Sequence, residues 1–172
     1  MLVAIITAPV LQRMGCTLLQ AHFFAFYFAC MAFLTPPEAM AALVASKLAG
    51  ASFMRTGWES CLVGLAGFLV PFLGIWAPVV MLAPQSIAGG MVDLALILAM
   101  LIAAQAAICD HYLTPITITE RVTLGAVPVV LMAFFIYRIQ AFAIVAALAF
   151  VVVTIWQIRK RRAGRLGQTV SA

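Results

Sequence analysis

The chain has 172 residues, of which 66% are hydrophobic and 9% charged, with a mean hydropathy of +1.18. Soluble domains are about 25% charged and about 45–50% apolar, so too little polar surface is present to coat a water-facing globule. This excludes an ordinary soluble enzyme, a disordered tail and a nucleic-acid-binding domain, since five of the ten Lys and Arg residues (Arg159, Lys160, Arg161, Arg162, Arg165) form a terminal basic tail and not a groove. The composition is that of an all-α integral membrane protein.

Residues 1–10 are apolar but lack the basic n-region and cleavage site of a signal peptide. They are too short to span a bilayer, which takes about 20 residues, and read as the tail end of a helix. Leu18 to Leu34 is an apolar run with five Phe and one Tyr, closed by Thr35-Pro36-Pro37 and followed by a second apolar run from Glu38 to Ala49. Gly50 to Glu59 is a polar patch holding Arg55, and Ala83 to Gly90 reads as a loop. The expected layout is a membrane domain over 1–158, with a broken segment at 18–49 and spans at about 58–82, 91–109, 121–137 and 140–158. A basic cytoplasmic tail follows over 159–172.

Lys and Arg concentrate on the cytoplasmic side of membrane proteins. With the tail in the cytoplasm, Lys47, Arg55, Arg121 and the five tail residues fall inside and only Arg138 outside. Trp58, Trp76, Trp156, Tyr112 and Tyr137 fall near span ends, where amphipathic rings favour the headgroup layer.

The segment 18–49 would be about 48 Å long as one helix, against a hydrocarbon core of about 30 Å. Two prolines interrupt it, so Leu34 and Thr35 are expected to be non-helical. It must be two half-helices, arranged as a re-entrant hairpin or a discontinuous helix. Thr35 reads as an N-cap, Pro36 as the first helical residue and Glu38 as the partner in a capping box. This predicts a half-helix N-terminus in the membrane and unpaired carbonyls near Met31 to Phe33. Non-helical backbone at that depth is tolerated inside protein or beside a water-filled cavity.

Glu38 has two readings: a proton-carrying intramembrane carboxylate, or only the helix cap. His22 is expected to be an interhelical hydrogen-bond donor, Asp93 a cap at the outer surface, and Asp110 and His111 solvated at the inner interface. The four cysteines (Cys16, Cys30, Cys61, Cys109) have no C-x-x-C spacing and read as small buried hydrophobes. No nucleophile–base pair, zinc motif or phosphate loop is present in the sequence.

Ala21-His22 with Phe23-Phe24-Ala25-Phe26-Tyr27-Phe28, then Leu34-Thr35-Pro36-Pro37 and Ala39 to Ala42, resemble a TRAP transporter permease, more narrowly the fused permease of the TAXI type. Ala49-Gly50-Ala51, Thr56-Gly57, Ala66-Gly67-Phe68, Val70-Pro71-Phe72 and Leu113 to Arg121 extend the resemblance over most of 1–137. Glu38 stands where a small apolar residue is usual and Phe33 where an acidic one is common; Ala77 replaces an Asn. The resemblance implies the C-terminal repeat of an elevator-type permease in the bacterial inner membrane. It moves an organic acid or amino acid with a Na⁺ or H⁺ gradient and uses no other cofactor. The implied partners are a periplasmic solute-binding protein, the remaining permease subunits and membrane lipid. It also implies Thr35, Pro36, Pro37 and Glu38 as the substrate or ion site. The first repeat lies outside the resemblance, so this stretch is expected to be a split subunit, or else a truncated frame acting as a structural or assembly protein.

The threading is tested by a single cysteine at Ser86 in a background lacking the native cysteines. It should react with an impermeant maleimide in intact cells. Labelling only after the cells are opened would reverse the topology.

Overall fold

The computed structural model describes residues 2–82, 86–109, 112 and 116–170, and every described element is helical. Asp110 and His111 lie outside the described residues. Among the described residues, four helical stretches are long and apolar enough to cross a membrane: Phe53–Trp76, Ile87–Cys109, Ile118–Tyr137 and Gln140–Arg161. The chain divides into two compact units, Met1–Leu94 and Ala95–Ala172.

In the first unit, α1 (Leu2–Arg13) and α2 (Leu18–Met31) form a tight helical hairpin. Its turn is written in the residues between them. Gly15 takes φ +94°, and the amides of Gly15 and Cys16 donate to the carbonyls of Gln12 and Leu11 (both 3.0 Å), the two bonds of a Schellman stop. Thr17 then caps α2, with Gln20 completing the box. The side-chain amide Nε2 of Gln20 also donates to the Ile75 carbonyl at 2.9 Å. That carbonyl belongs to the last turn of α5 (Val70–Trp76), where helix carbonyls have no intrahelical partner. One glutamine therefore caps the start of α2 and the end of α5. A ring cluster of Phe24, Phe28, Phe68 and Phe72 packs the two helices, and Gly74 lets Phe23 approach to 2.9 Å from where a Cβ would stand.

Helix α3 (Met40–Ala49) ends at Gly50 with φ +62° and packs on α4 (Phe53–Gly64). A 3₁₀ turn over Leu65–Leu69 joins α4 to α5. The halves α2 and α3 do not pair as a hairpin: α2 lies on α1 and α5, and α3 lies on α4. The interruption is thus a discontinuous helix, each half held by its own partners.

The second unit holds most of α6 (Ile87–Cys109), with α7 (Ile118–Tyr137) and α8 (Gln140–Val170) as an antiparallel pair. Met100, Ala103, Leu124, Leu131 and Phe135 form its core. The turn between α7 and α8 carries Arg138 at φ +56°, with its amide bonded to the Phe134 carbonyl at 2.7 Å.

Several boundaries differ from the sequence reading. The polar patch 50–59 is mostly helix: α4 starts at Phe53, five residues before the expected span, and Arg55 pairs with Glu59 one turn on at 2.9 Å. That span stops at Trp76 instead of 82, because Pro78 pushes Ala77 into extended backbone (φ −111°, ψ 98°). Gly89 and Gly90 belong to the first turn of α6 and not to a loop. The cap there is Ser86, whose hydroxyl accepts from the Gly89 amide at 3.1 Å; Asp93 lies in the second turn and is not the cap. The basic tail is no separate segment, since the backbone of α8 stays helical to Val170. Of the cysteines only Cys61 is buried; Cys30 and Cys109 are exposed.

The double duty of Gln20 is testable. Gln20→Met removes the box and leaves the Ile75 carbonyl unpaired, which should destabilise the detergent-solubilised protein by about 1–3 kcal/mol. Gln20→Glu keeps the box and loses only the contact to Ile75, so its thermal midpoint should fall between the two. Equal midpoints for all three would show the bond contributes nothing.

Candidate functional site

The break between α2 and α3 lies inside a chain otherwise built of apolar helices. Its chemistry starts from the two prolines, which supply no N–H. Every carbonyl that the missing helix would have used must therefore find another donor.

Each does. The Thr35 hydroxyl donates back to the Met31 carbonyl at 2.9 Å, and the Leu34 amide donates to the same oxygen at 3.0 Å. The Ala32 carbonyl accepts the Thr35 amide (3.2 Å), and the Phe33 carbonyl accepts the Ala41 amide across the break (3.2 Å). The Leu34 carbonyl accepts the Cys61 thiol of α4 at 3.5 Å. The expected row of unpaired carbonyls at Met31 to Phe33 is absent.

The expected capping box at Thr35 and Glu38 is also absent. Helix α3 begins at Met40, its N-cap is Ala39, and no side chain caps it. The reason is local. Pro37 disfavours helical backbone at the residue before it, so Pro36 cannot be the first helical residue although its own φ would suit. The helix start slips four residues, the Thr35 hydroxyl turns back toward α2, and Glu38 is left exposed on the turn. At the N-terminus of α3 the Ala41 amide is already engaged by the Phe33 carbonyl.

The structure brings Thr35, Pro36, Pro37 and Glu38 into one turn between two hollows. One, of about 400 Å³, is lined by Ala29, Ala32, Phe33, Pro37, Glu38 and Met40. The other, of about 290 Å³, lies against Phe28, Met31 and Phe68 and shares Ala32, Pro37 and Glu38 with the first. Both walls are apolar except for the Glu38 carboxylate and the Thr35 hydroxyl.

A face of α4 that sequence reasoning missed holds this turn in place. Gly57, Cys61 and Gly64 recur at helical spacing on one side of α4. A Cβ at Gly57 would stand 2.6 Å from Cγ of Pro36, and one at Gly64 would stand 3.5 Å from Leu34. Small residues at such spacing let helix backbones approach within a membrane, and that spacing was the available signal. His22 does not take the interhelical role expected of it: it lies on the exposed side of α2, and Gln20 makes that bond.

A methyl at Gly57 must push the proline turn away. Gly57→Val should destabilise the protein by about 1–3 kcal/mol through overpacking. It should also raise protease sensitivity between Phe33 and Ala39 relative to an equivalent change at exposed Gly50→Asn. An unaltered cleavage pattern would show that Gly57 does not hold the turn.

Residues 1–88 match the family model described as tripartite ATP-independent periplasmic transporter, DctM component. No curated protein and no solved structure matches the chain. The matched stretch is just over half of the chain and contains the hairpin, both half-helices and α4 to α5. Joined to the membrane-crossing helices, it identifies a multi-pass membrane protein of a transporter family and not of an enzyme family: the chain belongs to the DctM-component permeases of the tripartite ATP-independent periplasmic transporters.

Proposed function

We propose that the chain forms the broken-helix part of a TAXI-type permease in the inner membrane, which takes an organic acid or amino acid from a periplasmic solute-binding protein. The remaining permease subunits complete the path, as substrate sites of such transporters lie between repeats. The elevator motion and the cytoplasmic C-terminus belong to this reading as well.

One observation carries the reading to a particular residue: the discontinuous helix turns at Thr35–Glu38 and presents an exposed carboxylate to two apolar hollows. Of the two coupling ions, the geometry favours the proton. Sodium would need several oxygen ligands, and the carbonyls of Met31, Ala32, Phe33 and Leu34 all already accept hydrogen bonds. Glu38 is anionic when deprotonated and then repels an anionic substrate from the same hollow. Taking up a proton removes that repulsion, so substrate and proton bind together.

The test is uptake of radiolabelled succinate and glutamate into vesicles holding the reassembled permease, its partner subunits and its binding protein. The wild type should show uptake that rises with an inward proton gradient and ignores sodium. Glu38→Gln, which is permanently neutral, should retain uptake and lose its pH dependence. Sodium dependence in the wild type, or an unaltered pH profile in Glu38→Gln, would remove Glu38 from coupling. No uptake of any organic acid or amino acid by the wild-type assembly would remove the substrate class.

A further inference from the structure

Outside the stretch that carries the family, the second unit contains a carboxylate that transport does not account for. Glu120 is 7% exposed, in the first turn of α7. Its Oε2 accepts the Thr117 amide at 2.8 Å and the Gln157 side-chain amide of α8 at 2.9 Å. Its Oε1 is buried and has no hydrogen-bond partner among the described residues. A buried acceptor left unpaired costs about 1–3 kcal/mol, and more for a charged group.

Glu120 lies in the wall of a groove of about 590 Å³ between α7 and α8. Thr117, Thr119 and Thr123 line it from α7, and Val152, Val153, Trp156 and Lys160 from α8. The Thr117 hydroxyl bonds the Glu120 carboxylate and stands 3.3 Å from the Thr119 hydroxyl. Lys160 bears the cation, close enough for its charge to act on Glu120. Trp156 is 62% exposed and is followed by Arg159, Lys160 and Arg161, the arrangement of a helix leaving the hydrocarbon for the headgroup layer.

We propose that this groove binds an aminophospholipid headgroup, a phosphate diester carrying a primary ammonium. The ammonium supplies the donor that Oε1 lacks. The phosphate oxygens take the Lys160 ammonium. Val152, Val153 and the Trp156 ring continue along α8 as an apolar track for an acyl chain. The site carries one buried anion and one exposed cation, which matches a zwitterion. An anionic glycerol lipid would bring hydroxyls but no positive charge to set against the Glu120 carboxylate. A choline lipid has the same phosphate and charge but no N–H to donate.

The experiment is native mass spectrometry of the full chain in detergent, with equal amounts of phosphatidylethanolamine, phosphatidylcholine and phosphatidylglycerol of one acyl composition. Phosphatidylethanolamine should be retained about tenfold over phosphatidylcholine, the discrimination of one charge-assisted hydrogen bond. Glu120→Gln keeps the capping box but places an amide donor where Oε1 stood, so the preference should collapse to parity. Lys160→Gln should weaken all three lipids by a similar factor and leave the ethanolamine-to-choline ratio intact. Soluble phosphoethanolamine at equal concentration should displace nothing. Parity of the ethanolamine and choline lipids in the wild type overturns the proposal whether or not either variant folds. So does stronger retention of phosphatidylglycerol, a preference that survives Glu120→Gln, or displacement by the soluble headgroup.

Discussion

A helix broken inside a membrane must still satisfy its own backbone, because lipid offers no donor or acceptor. The first unit follows from that constraint. Pro36 and Pro37 withdraw two amides from the ladder, and four carbonyls must be answered by other groups. A hydroxyl from the same turn answers one, two amides of the turn and α3 answer the next pair, and a thiol from α4 answers the last. At the far end of the unit, Pro78 stops α5 in the same way, and the released Ile75 carbonyl is taken by Gln20. These side chains decide which helices must be neighbours. Gln20 ties α2 to α5, and Cys61 ties the break to α4.

Close approach is the second condition, and glycine supplies it. Hydrogen bonds from a turn to a neighbouring helix need the backbones nearer than ordinary side chains allow. Gly57 gives up its Cβ to the Pro36 ring, Gly67 to the Met31 methyl at 3.1 Å, and Gly74 to the Phe23 ring. Each glycine faces α2 or the break. In water such residues would weaken their helices by about 1 kcal/mol each relative to alanine. In a membrane, where apolar burial does not discriminate protein from lipid, the packing they permit is what holds the helices together.

The helical class and the place of the break were legible because apolar runs and prolines act locally. What the break does with its side chains was not. The pattern Thr-x-x-Glu/Gln lies inside helices at Thr56–Glu59 and Thr154–Gln157, and at an expected helix start at Thr17–Gln20, Thr35–Glu38 and Thr117–Glu120. Of these starts, the first and last form capping boxes, and the middle one does not. The difference is Pro37 acting on Pro36, a restriction as local as any in the sequence, but one that competes with the proline's suitability for a first helical turn. Whether the Thr35 hydroxyl reaches forward or back depends on which wins. The role of Glu120 was hidden for another reason: Gln157 meets it from a helix 37 positions away, and only the α7–α8 pairing brings them together. The small-residue face of α4 was visible as spacing, but its meaning rests on which helix it faces.

The two carboxylates show what the constraint leaves available for function. Glu120 is committed through one oxygen: its Oε2 receives two N–H donors, and truncating the side chain would remove the cap of α7 and the tie to α8 together. Glu38 is in the opposite position, since the slip of α3 to Met40 took away its capping role and left it exposed on the turn. Its carboxylate ties no element of the fold to another. The coupling role proposed for Glu38 needs that freedom, because a coupling residue's charge must change every cycle while the helices around it stay intact. The same proline pair that breaks the helix therefore frees the carboxylate beside it.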